Sequence, residues 1–383
     1  MSQPDLQPIP PTMQALILDA KNHTANVHII ATPHPGPTEI LIKVHAIALN
    51  PVDALYVAHP LGQSGRTVGS DFSGTIVSLG SEVPAVDISV GQKVAGFLQG
   101  ACSINERPGA FAEYVVVPWD LVWKIGAMPF EEAAGVSLCA LTAAQMLRRL
   151  GVRMPFEMAE QAAEIGSVFI NGATTSVGSF AAQLAKQAIP QVKLFGTASE
   201  KHFPMLGDSS YHYTKVVSYK DPTSWRTATP HSNGVSIALD CISEGETVHN
   251  TAKVLSRPAK DMHQIAVVRS RQGGAWNTPL EQLGTEPSYG AVWEGLGEDV
   301  EYMGMTLPAN AASRAFTVAF YRWLSEGQKL VPIQARFMPG GLGEVVGDGF
   351  VLMGTGTMMD RNVVREEEYM RPVSAEKLVY CIV

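Results

Sequence analysis

The sequence is poor in charge and has no long apolar segment. Charged residues are only 17% of the 383, and 28 basic against 36 acidic side chains give a formal net charge of −8. No run of Lys or Arg offers the basic surface that nucleic acids and membrane surfaces require. No window reaches the roughly 18 uninterrupted apolar residues of a membrane span. Nucleic acid and membrane are therefore not expected partners.

Cysteine is also scarce, and the start of the chain lacks a targeting pattern. The four cysteines are far apart and never form a C-x2-C pair. Cys139, Cys241 and Cys381 have apolar neighbours and are predicted to be buried, inert thiols, whereas Cys102 lies in a polar loop and has no expected role. Residues 1–12 contain prolines but no charged-then-apolar order. We expect a short disordered leader and a cytoplasmic protein.

The first third of the chain contains short apolar runs of period two, separated by Gly and Pro. This pattern is typical of strands joined by tight turns. It predicts a small barrel or sandwich over residues 13–125. The strand-like runs are residues 16–18, 27–30, 39–44, 69–79, 91–97 and 110–117.

From residue 130 the spacing of apolar residues becomes helical. A helix is predicted over 130–150 and a polar surface insertion over 152–164. A strand, a glycine-bearing turn, a helix and a second strand then follow within about 30 residues, which is a right-handed parallel βαβ unit. Further strands are expected at 235–239, 263–268 and 377–380, and further helices at 247–255 and 308–328.

The turn between Asn171 and Gly178 lies where a dinucleotide pyrophosphate would meet the start of a helix. It contains only two glycines, so a purely structural turn is the alternative interpretation. Side-chain hydroxyls could donate to phosphate in place of the missing glycine. The predicted phosphate-binding residues are Gly172, Thr174, Thr175, Ser176 and Val177.

The end of the next strand bears on the choice between NAD and NADP. A carboxylate there would favour NAD, whereas Ser199 and Lys201 suit a 2′-phosphate through a hydroxyl and a positive charge. Tyr219 is a second candidate phosphate contact. These residues predict NADPH as the cofactor, and the alternative is that Lys201 is only a solvated surface charge.

Several motifs together resemble the medium-chain dehydrogenase/reductase superfamily over residues 13–383. They are ALNPVD at 48–53, GSDFSG at 69–74, VGQKV at 90–94, GAFAEY at 109–114 and the glycine turn. The resemblance implies an α/β fold: a split GroES-like β-barrel catalytic domain, residues 13–138 and 311–383, and a Rossmann doubly wound nucleotide-binding domain, residues 139–310.

The resemblance also bears on zinc. Zinc-containing members carry a Cys near Asn50 and a His-Glu pair near Gly69. This chain has Asn50, Ser70 and Asp71 at those places and no four-cysteine lobe. A tetrahedral site of nitrogen and sulfur ligands is therefore missing, and a zinc-free reductase with no metal site is expected.

Within the superfamily the chain is similar to fungal trans-acting enoyl reductases, through ALDCIS at 238–243, VWEGLG at 292–297 and SAEKLV at 374–379. This likeness implies hydride transfer from NADPH to the β-carbon of an enoyl thioester, carried by the acyl carrier domain of a polyketide synthase. The expected protein is a monomer that docks on the synthase.

The same likeness implies roles for particular residues. Asn50 should face the reacting centre, and Thr142 should touch the nicotinamide or its ribose phosphates. The proton donor is unassigned, because the place where many relatives carry Tyr or Lys holds Leu55, with Tyr56 next to it. An apolar wall for the substrate is expected from Trp276, Trp293 and Met303.

Two other functions remain open from the sequence. One is a zinc-free quinone or alkenal reductase that acts on small free substrates. The other is a degenerate, non-catalytic relative, or one recruited to different chemistry in the same kind of pathway; the glycine-poor turn and the missing Tyr or Lys are the argument for it.

Overall fold

The chain divides into two units at residues 138 and 292. In the computed structural model, unit 1 comprises Met1–Leu138 and Trp293–Val383, and unit 2 comprises Cys139–Val292. The structure describes residues 8–101, 104–157, 165–207, 211–229, 234–256, 264–302, 305–361, 363 and 365–382. The expected nucleotide-binding segment extended to residue 310, whereas residues 293–310 cluster with unit 1.

The strands are short, and most of them lie where the apolar runs predict them. In chain order they are β1 (Thr12–Asp19), β2 (Thr24–Ala31), β3 (Glu39–Ala48), β4 (Asp71–Leu79), β5 (Lys93–Phe97), β6 (Tyr114–Pro118), β7 (Val122–Lys124), β8 (Ser167–Asn171), β9 (Lys193–Ala198), β10 (Tyr213–Ser218), β11 (Ile237–Asp240), β12 (Ile265–Val267), β13 (Val300–Tyr302), β14 (Met305–Leu307), β15 (Gln334–Met338) and β16 (Glu376–Cys381).

The helices vary more in length than the strands. They are α1 (Pro51–Ala58), α2 (Phe130–Ala134), α3 (Ser137–Arg149), α4 (Ser176–Ala188), α5 (Phe203–Leu206), α6 (Pro222–Ala228), α7 (Thr247–Ala252), α8 (Leu280–Leu283), α9 (Ala311–Ser325) and α10 (Val351–Met353). Short 3-10 segments and one π-helical turn, Val345–Phe350, join them. Among the described residues, no helix is both long and apolar enough to cross a membrane.

Unit 1 is built on a seven-stranded sheet with the order β15-β16-β3-β4-β5-β7, and β6 also pairs with β3. All of these pairs are antiparallel except β15 with β16. Strand β3 is buried along most of its length, because it has neighbours on both sides and apolar side chains toward both faces. The β-rich first and last parts of the chain therefore share one sheet.

Unit 2 is a five-stranded parallel sheet with the order β10-β9-β8-β11-β12. Strand β8 is fully buried, as expected for a parallel sheet covered on both faces. The order of the strands reverses at β8, and ligands bind parallel sheets of this type at the carboxyl ends of the strands beside such a point. The predicted fold class, a GroES-like domain with a Rossmann-like parallel sheet, is confirmed.

Two local predictions were wrong and one helix was missed. The stretch 130–150 is two helices, α2 and α3, because the chain turns at Gly135. Helix α1 was missed, although Asn50 caps it and Pro51 opens it. Cys381 is exposed rather than buried, since it is the last residue of β16. Cys139 and Cys241 are buried as predicted; Cys102, residues 1–7 of the leader and residues 158–164 of the insertion lie outside the described residues.

A buried arginine organises the edge of the sheet in unit 1. Arg336 on β15 forms a fork with Glu376, from Nε at 3.0 Å and from a terminal nitrogen at 2.9 Å. Its other N–H groups donate to the backbone oxygens of Tyr369, Arg371 and Pro372. The guanidinium thereby joins β15 to the irregular segment that leads into β16.

We predict that Arg336→Lys destabilises the protein by about 1–3 kcal/mol, because an ammonium cannot reproduce a fork with three further carbonyl bonds. The measurement is urea unfolding. Arg322→Lys is the control, since Arg322 is exposed on α9 and its replacement should stay within about 0.5 kcal/mol. Equal effects of the two substitutions would contradict the assigned role of Arg336.

Candidate active site

The glycine turn of unit 2 follows β8 and opens α4. Gly172 has φ +79°, a conformation that favours glycine. A Cβ on Gly178 would lie 2.3 Å from the backbone oxygen of Gly172, so a side chain there would force the turn open. Both glycines are therefore required by the shape of the turn.

Thr175 is the N-cap of α4. Its Oγ1 donates to the backbone oxygen of Gly172 at 2.9 Å and accepts from the N–H of Gly178 at 3.0 Å. Because its only proton is used within the turn, this hydroxyl cannot donate to a phosphate in the same arrangement. The predicted phosphate bond from Thr175 is replaced by a capping bond, which stabilises a helix start by about 1 kcal/mol.

The other predicted phosphate-binding residues stand around the helix start. Thr174, Ser176 and Val177 are half-buried, and Ser176 and Val177 form the first turn of α4. Backbone N–H groups in a first turn lack acceptors inside the helix and attract anions. The turn thus fits a dinucleotide pyrophosphate through backbone N–H groups more than through the threonine hydroxyls.

Polar side chains at the ends of three strands form a hydrogen-bond network that contacts this turn. Thr197 Oγ1 donates to Asn171 Oδ1 at 2.6 Å and accepts from the N–H of Gly172 at 3.0 Å. Asn171 Nδ2 donates to Asp240 Oδ1 at 2.9 Å. Burial raises the pKa of Asp240, against the opposing backbone N–H bond from Ser243. The sequence analysis missed this network, whose signal is polar residues at or near the carboxyl ends of β8, β9 and β11.

The residues predicted to recognise a 2′-phosphate come together at neighbouring strand ends. Strands β9 and β10 pair in parallel and end at Ala198 and Ser218. The N–H of Tyr219 donates to Ala198 at 3.1 Å, so Tyr219 lies beside the segment that contains Ser199 and Lys201. Ser199 is half-buried, and Lys201 and Tyr219 are exposed. The strand pairing places Tyr219 beside the end of β9, and the contact of these three residues with a 2′-phosphate stays a prediction.

Unit 1 contains a buried polar cluster around Asn50. Asn50 Nδ2 donates to Ser70 Oγ and to Asp71 Oδ2, both at 3.0 Å. Lys377 Nζ donates to Asn50 Oδ1 at 2.6 Å and lies 3.4 Å from Asp71 Oδ2. Ser70 Oγ donates to Asp53 Oδ1 at 2.8 Å. All five residues are at most 4% exposed.

Asp53 closes the cluster at the start of α1. Its Oδ2 accepts from the N–H of Asn50 at 2.7 Å, which completes a capping box. Burial raises the pKa of Asp53 to about 7, against the opposing bonds from Asn50 and Ser70. Burial also raises the pKa of Asp71, and the ammonium of Lys377 opposes that rise.

Asn50 and Thr142 were the two predicted catalytic residues. Asn50 belongs to unit 1, and both N–H bonds of its carboxamide are directed at Ser70 and Asp71. Its contacts give it an anchoring role, and its position facing a reacting centre stays a prediction. Thr142 is half-buried on α3 and belongs to unit 2; its contact with a nicotinamide also stays a prediction.

The residues at the zinc-ligand positions of the resemblance do not fit a zinc site. Asn50, Ser70 and Asp71 do come together, but the ammonium of Lys377 contacts two of them and would repel a divalent cation. Zinc in proteins takes thiolate, imidazole and carboxylate ligands. Within the described part of the chain, no three or more His, Cys, Asp and Glu side chains are grouped so as to hold a metal ion.

Two of the residues expected to form an apolar wall for the substrate, Trp276 and Trp293, belong to different units. Trp276 packs in the core of unit 2 with Phe169 and Trp225, and its indole N–H donates to the Arg269 backbone. Trp293 belongs to unit 1, where its Nε1 donates to the hydroxyl of Tyr56 at 3.1 Å. Met303 lies outside the described residues. Trp293 thus contacts helix α1 through Tyr56.

Comparisons with known proteins agree with this architecture. Residues 36–127 match the alcohol dehydrogenase GroES-like domain. The chain is similar in fold to a mycobacterial protein complexed with NADPH, with a TM-score of 0.67 and 17% identity over 96% of this chain and 99% of that one. The two units therefore define a medium-chain dehydrogenase/reductase.

Two fungal relatives define the family more narrowly. The trans-enoyl reductase caaB of Aspergillus niger is 33% identical over 264 residues, which are 66% of this chain and 70% of the relative. The trans-enoyl reductase buaC of Petromyces alliaceus is 29% identical over 97% of this chain and 98% of its own length. The chain belongs to the family of fungal trans-enoyl reductases, which are oxidoreductases.

The raised pKa of Asp53 predicts a pH-dependent contribution to stability. The folded state keeps this proton between about pH 4 and 7, where the unfolded chain has released it. The contribution is therefore complete below that window and is lost as the pH rises through 7. The comparison is with Asp53→Asn, which cannot titrate. The wild type should have a higher melting temperature than this variant at pH 5, and the difference should disappear by pH 8.

Asp87→Asn is the control for this measurement, because Asp87 is exposed in a turn. Its melting temperature should follow that of the wild type across the same pH range. A constant difference between the wild type and Asp53→Asn from pH 5 to 8 would rule out the titration of Asp53 in this window.

Proposed function

We propose that the protein is a trans-acting, NADPH-dependent enoyl reductase. Its substrate is an α,β-unsaturated polyketide thioester on the acyl carrier domain of a polyketide synthase, in secondary-metabolite biosynthesis. Membership in the trans-enoyl reductase family supports the reaction class. The observation that supports NADPH is that Ser199, Lys201 and Tyr219 follow the carboxyl ends of the paired strands β9 and β10.

NADPH, when bound, supplies the hydride for the β-carbon of the enoyl group. The residues of unit 2 hold and orient it: the amides at the start of α4 receive the pyrophosphate, and Thr142 contacts the nicotinamide side. Lys201 provides a positive charge and Ser199 a hydroxyl for the 2′-phosphate. Glu200 is exposed, so its carboxylate can turn to water. No side chain needs to bind a metal.

The protein works beside its synthase as a cytoplasmic monomer, in this proposal. A net charge of −8 without basic clusters fits a substrate delivered by a carrier protein rather than by a membrane or nucleic acid. Water is the default donor of the proton to the α-carbon.

The direct test is NADPH oxidation by the full chain with an enoyl group on an acyl carrier protein. We expect reduction of the carrier-bound chain and much slower reduction of simple quinones. Turnover of quinones with none of any enoyl thioester would favour the quinone reductase alternative. No rise in melting temperature at millimolar NADPH would favour a non-catalytic relative, because a ligand in large excess stabilises the fold it binds.

The cofactor preference has its own prediction. Lys201→Glu should weaken NADPH binding by about 10- to 100-fold and leave NADH nearly unchanged, because it replaces a charge-assisted bond of about 1.5–3 kcal/mol with repulsion. The measurement is cofactor titration by fluorescence. Lys193→Glu is a matched control, since Lys193 is exposed at the first residue of β9, the strand that precedes Lys201. Equal losses for both cofactors would contradict the phosphate role of Lys201.

A further inference from the structure

Lys377 is the least expected member of the cluster in unit 1. It lies on β16, 327 residues along the chain from Asn50. A lysine with only 4% exposure carries a large desolvation cost unless its ammonium is paired and hydrogen-bonded. Its partners are Asn50 Oδ1 and the carboxylate of Asp71. Because burial of the ammonium is costly, we looked for a role of Lys377 in the contacts that it makes.

The ammonium decides which way the carboxamide of Asn50 faces. Lys377 has only donors, so the atom it contacts at 2.6 Å must be the amide oxygen. The carboxylate of Asp71 has only acceptors, so the atom at 3.0 Å must be the amide nitrogen. A flipped amide would place N–H groups against the ammonium and an oxygen against the carboxylate. The two charges therefore fix one orientation.

That orientation sets the direction of the bonds that follow. Asn50 Nδ2 donates into Ser70 Oγ, so the hydroxyl proton of Ser70 is directed to Asp53 Oδ1. Asp53 in turn accepts the backbone N–H of Asn50 in the capping box of α1. A one-way chain of hydrogen bonds thus runs from Lys377 to the first turn of this helix.

Helix α1 carries Tyr56, which meets an aromatic residue of the same unit. The hydroxyl of Tyr56 accepts from Trp293 Nε1 at 3.1 Å and from Gln99 Nε2 at 3.4 Å. The rings of Tyr56 and Trp293 lie 6.2 Å apart. The start of α1 is therefore coupled to the position of Tyr56 and Trp293, the part of unit 1 expected to face the substrate.

We propose that Lys377 is a positioning residue: its ammonium fixes the Asn50 carboxamide and so anchors the start of helix α1. The part of the proposal that concerns turnover rests on the proposed enoyl reduction, whereas the anchoring of α1 does not. The competing explanation is that Lys377 only balances the charge of Asp71. The two explanations predict different behaviour of helix α1 when both charges are removed together.

The experiment compares Lys377→Met, Asp71→Asn and the double variant with the wild type. Each single variant removes one member of the buried Lys377–Asp71 ion pair and keeps the other, so both should have strongly lowered melting temperatures. The double variant removes the ion pair as a whole and should recover most of that loss. Methionine offers no donor to Asn50 Oδ1, so the carboxamide is no longer fixed. Lys21→Met, at an exposed loop position, is the control.

The first readout is amide hydrogen exchange of the peptide that spans residues 50–58. We expect about tenfold or faster exchange at the start of α1 in the double variant than in the wild type, despite its recovered melting temperature. Exchange as slow as in the wild type would overturn the proposal and leave charge balance as the role of Lys377. This readout needs no substrate.

The second readout is kcat with the carrier-bound enoyl substrate. We expect a decrease of about tenfold or more in the double variant, because small misplacements of supporting residues are costly, with unchanged NADPH affinity. Recovery of both kcat and slow exchange would overturn the proposal. If the wild type reduces no enoyl thioester, the proposed function fails, and the exchange readout still decides the role of Lys377.

Discussion

The ammonium of Lys377 lies between Asn50 and Asp71 at the point where β3, β4 and β16 run side by side. Leu49, at the end of β3, donates its N–H to the backbone oxygen of Leu378, and Ala48 pairs with Asp71 across β3 and β4. Removal of one partner from a buried ion pair costs about 3–5 kcal/mol. The last strand of the chain is thereby held to the first part of unit 1 by charge as well as by the sheet.

The two units use polar residues in the same way. In each, side chains at or beside strand ends satisfy one another and hold the first turn of a helix. In unit 1 the chain from Lys377 ends on the capping box of α1. In unit 2 the chain through Asn171 and Thr197 ends on the N–H of Gly172, ahead of α4. Such supports pre-organise a site because the groups they hold cannot rotate to other partners.

The low glycine content of the turn is compatible with a well-formed helix start. Thr175 is a helix cap, and the two glycines stand where the backbone has no room for a side chain. The absence of a middle glycine therefore leaves an intact helix start. The turn is therefore no longer an argument for a degenerate relative, and the missing Tyr or Lys is the feature that still supports that alternative.

Part of the candidate site could be named from the sequence because strand ends in a parallel sheet have a known functional meaning. Ser199, Lys201 and Tyr219 were named from their positions after apolar runs, and the parallel pairing of β9 and β10 places those two strand ends side by side. Helix α1 was missed because eight residues give too few turns for a helical period, although its Asn, Pro and Asp start signals are present in the sequence. Cys381 was misjudged because apolar neighbours in a strand do not say which face a side chain occupies.

The sequence by itself determined the periodic elements, the glycine turn and the fold family, because these depend on local spacing and on motifs of a few residues. The tertiary structure alone decided that Lys377 meets Asn50 and that residues 293–310 cluster with unit 1. The pairing of the strands and the burial of charges together determine which hydrogen-bond partners meet. Those choices join residues hundreds of positions apart, where sequence spacing carries no signal.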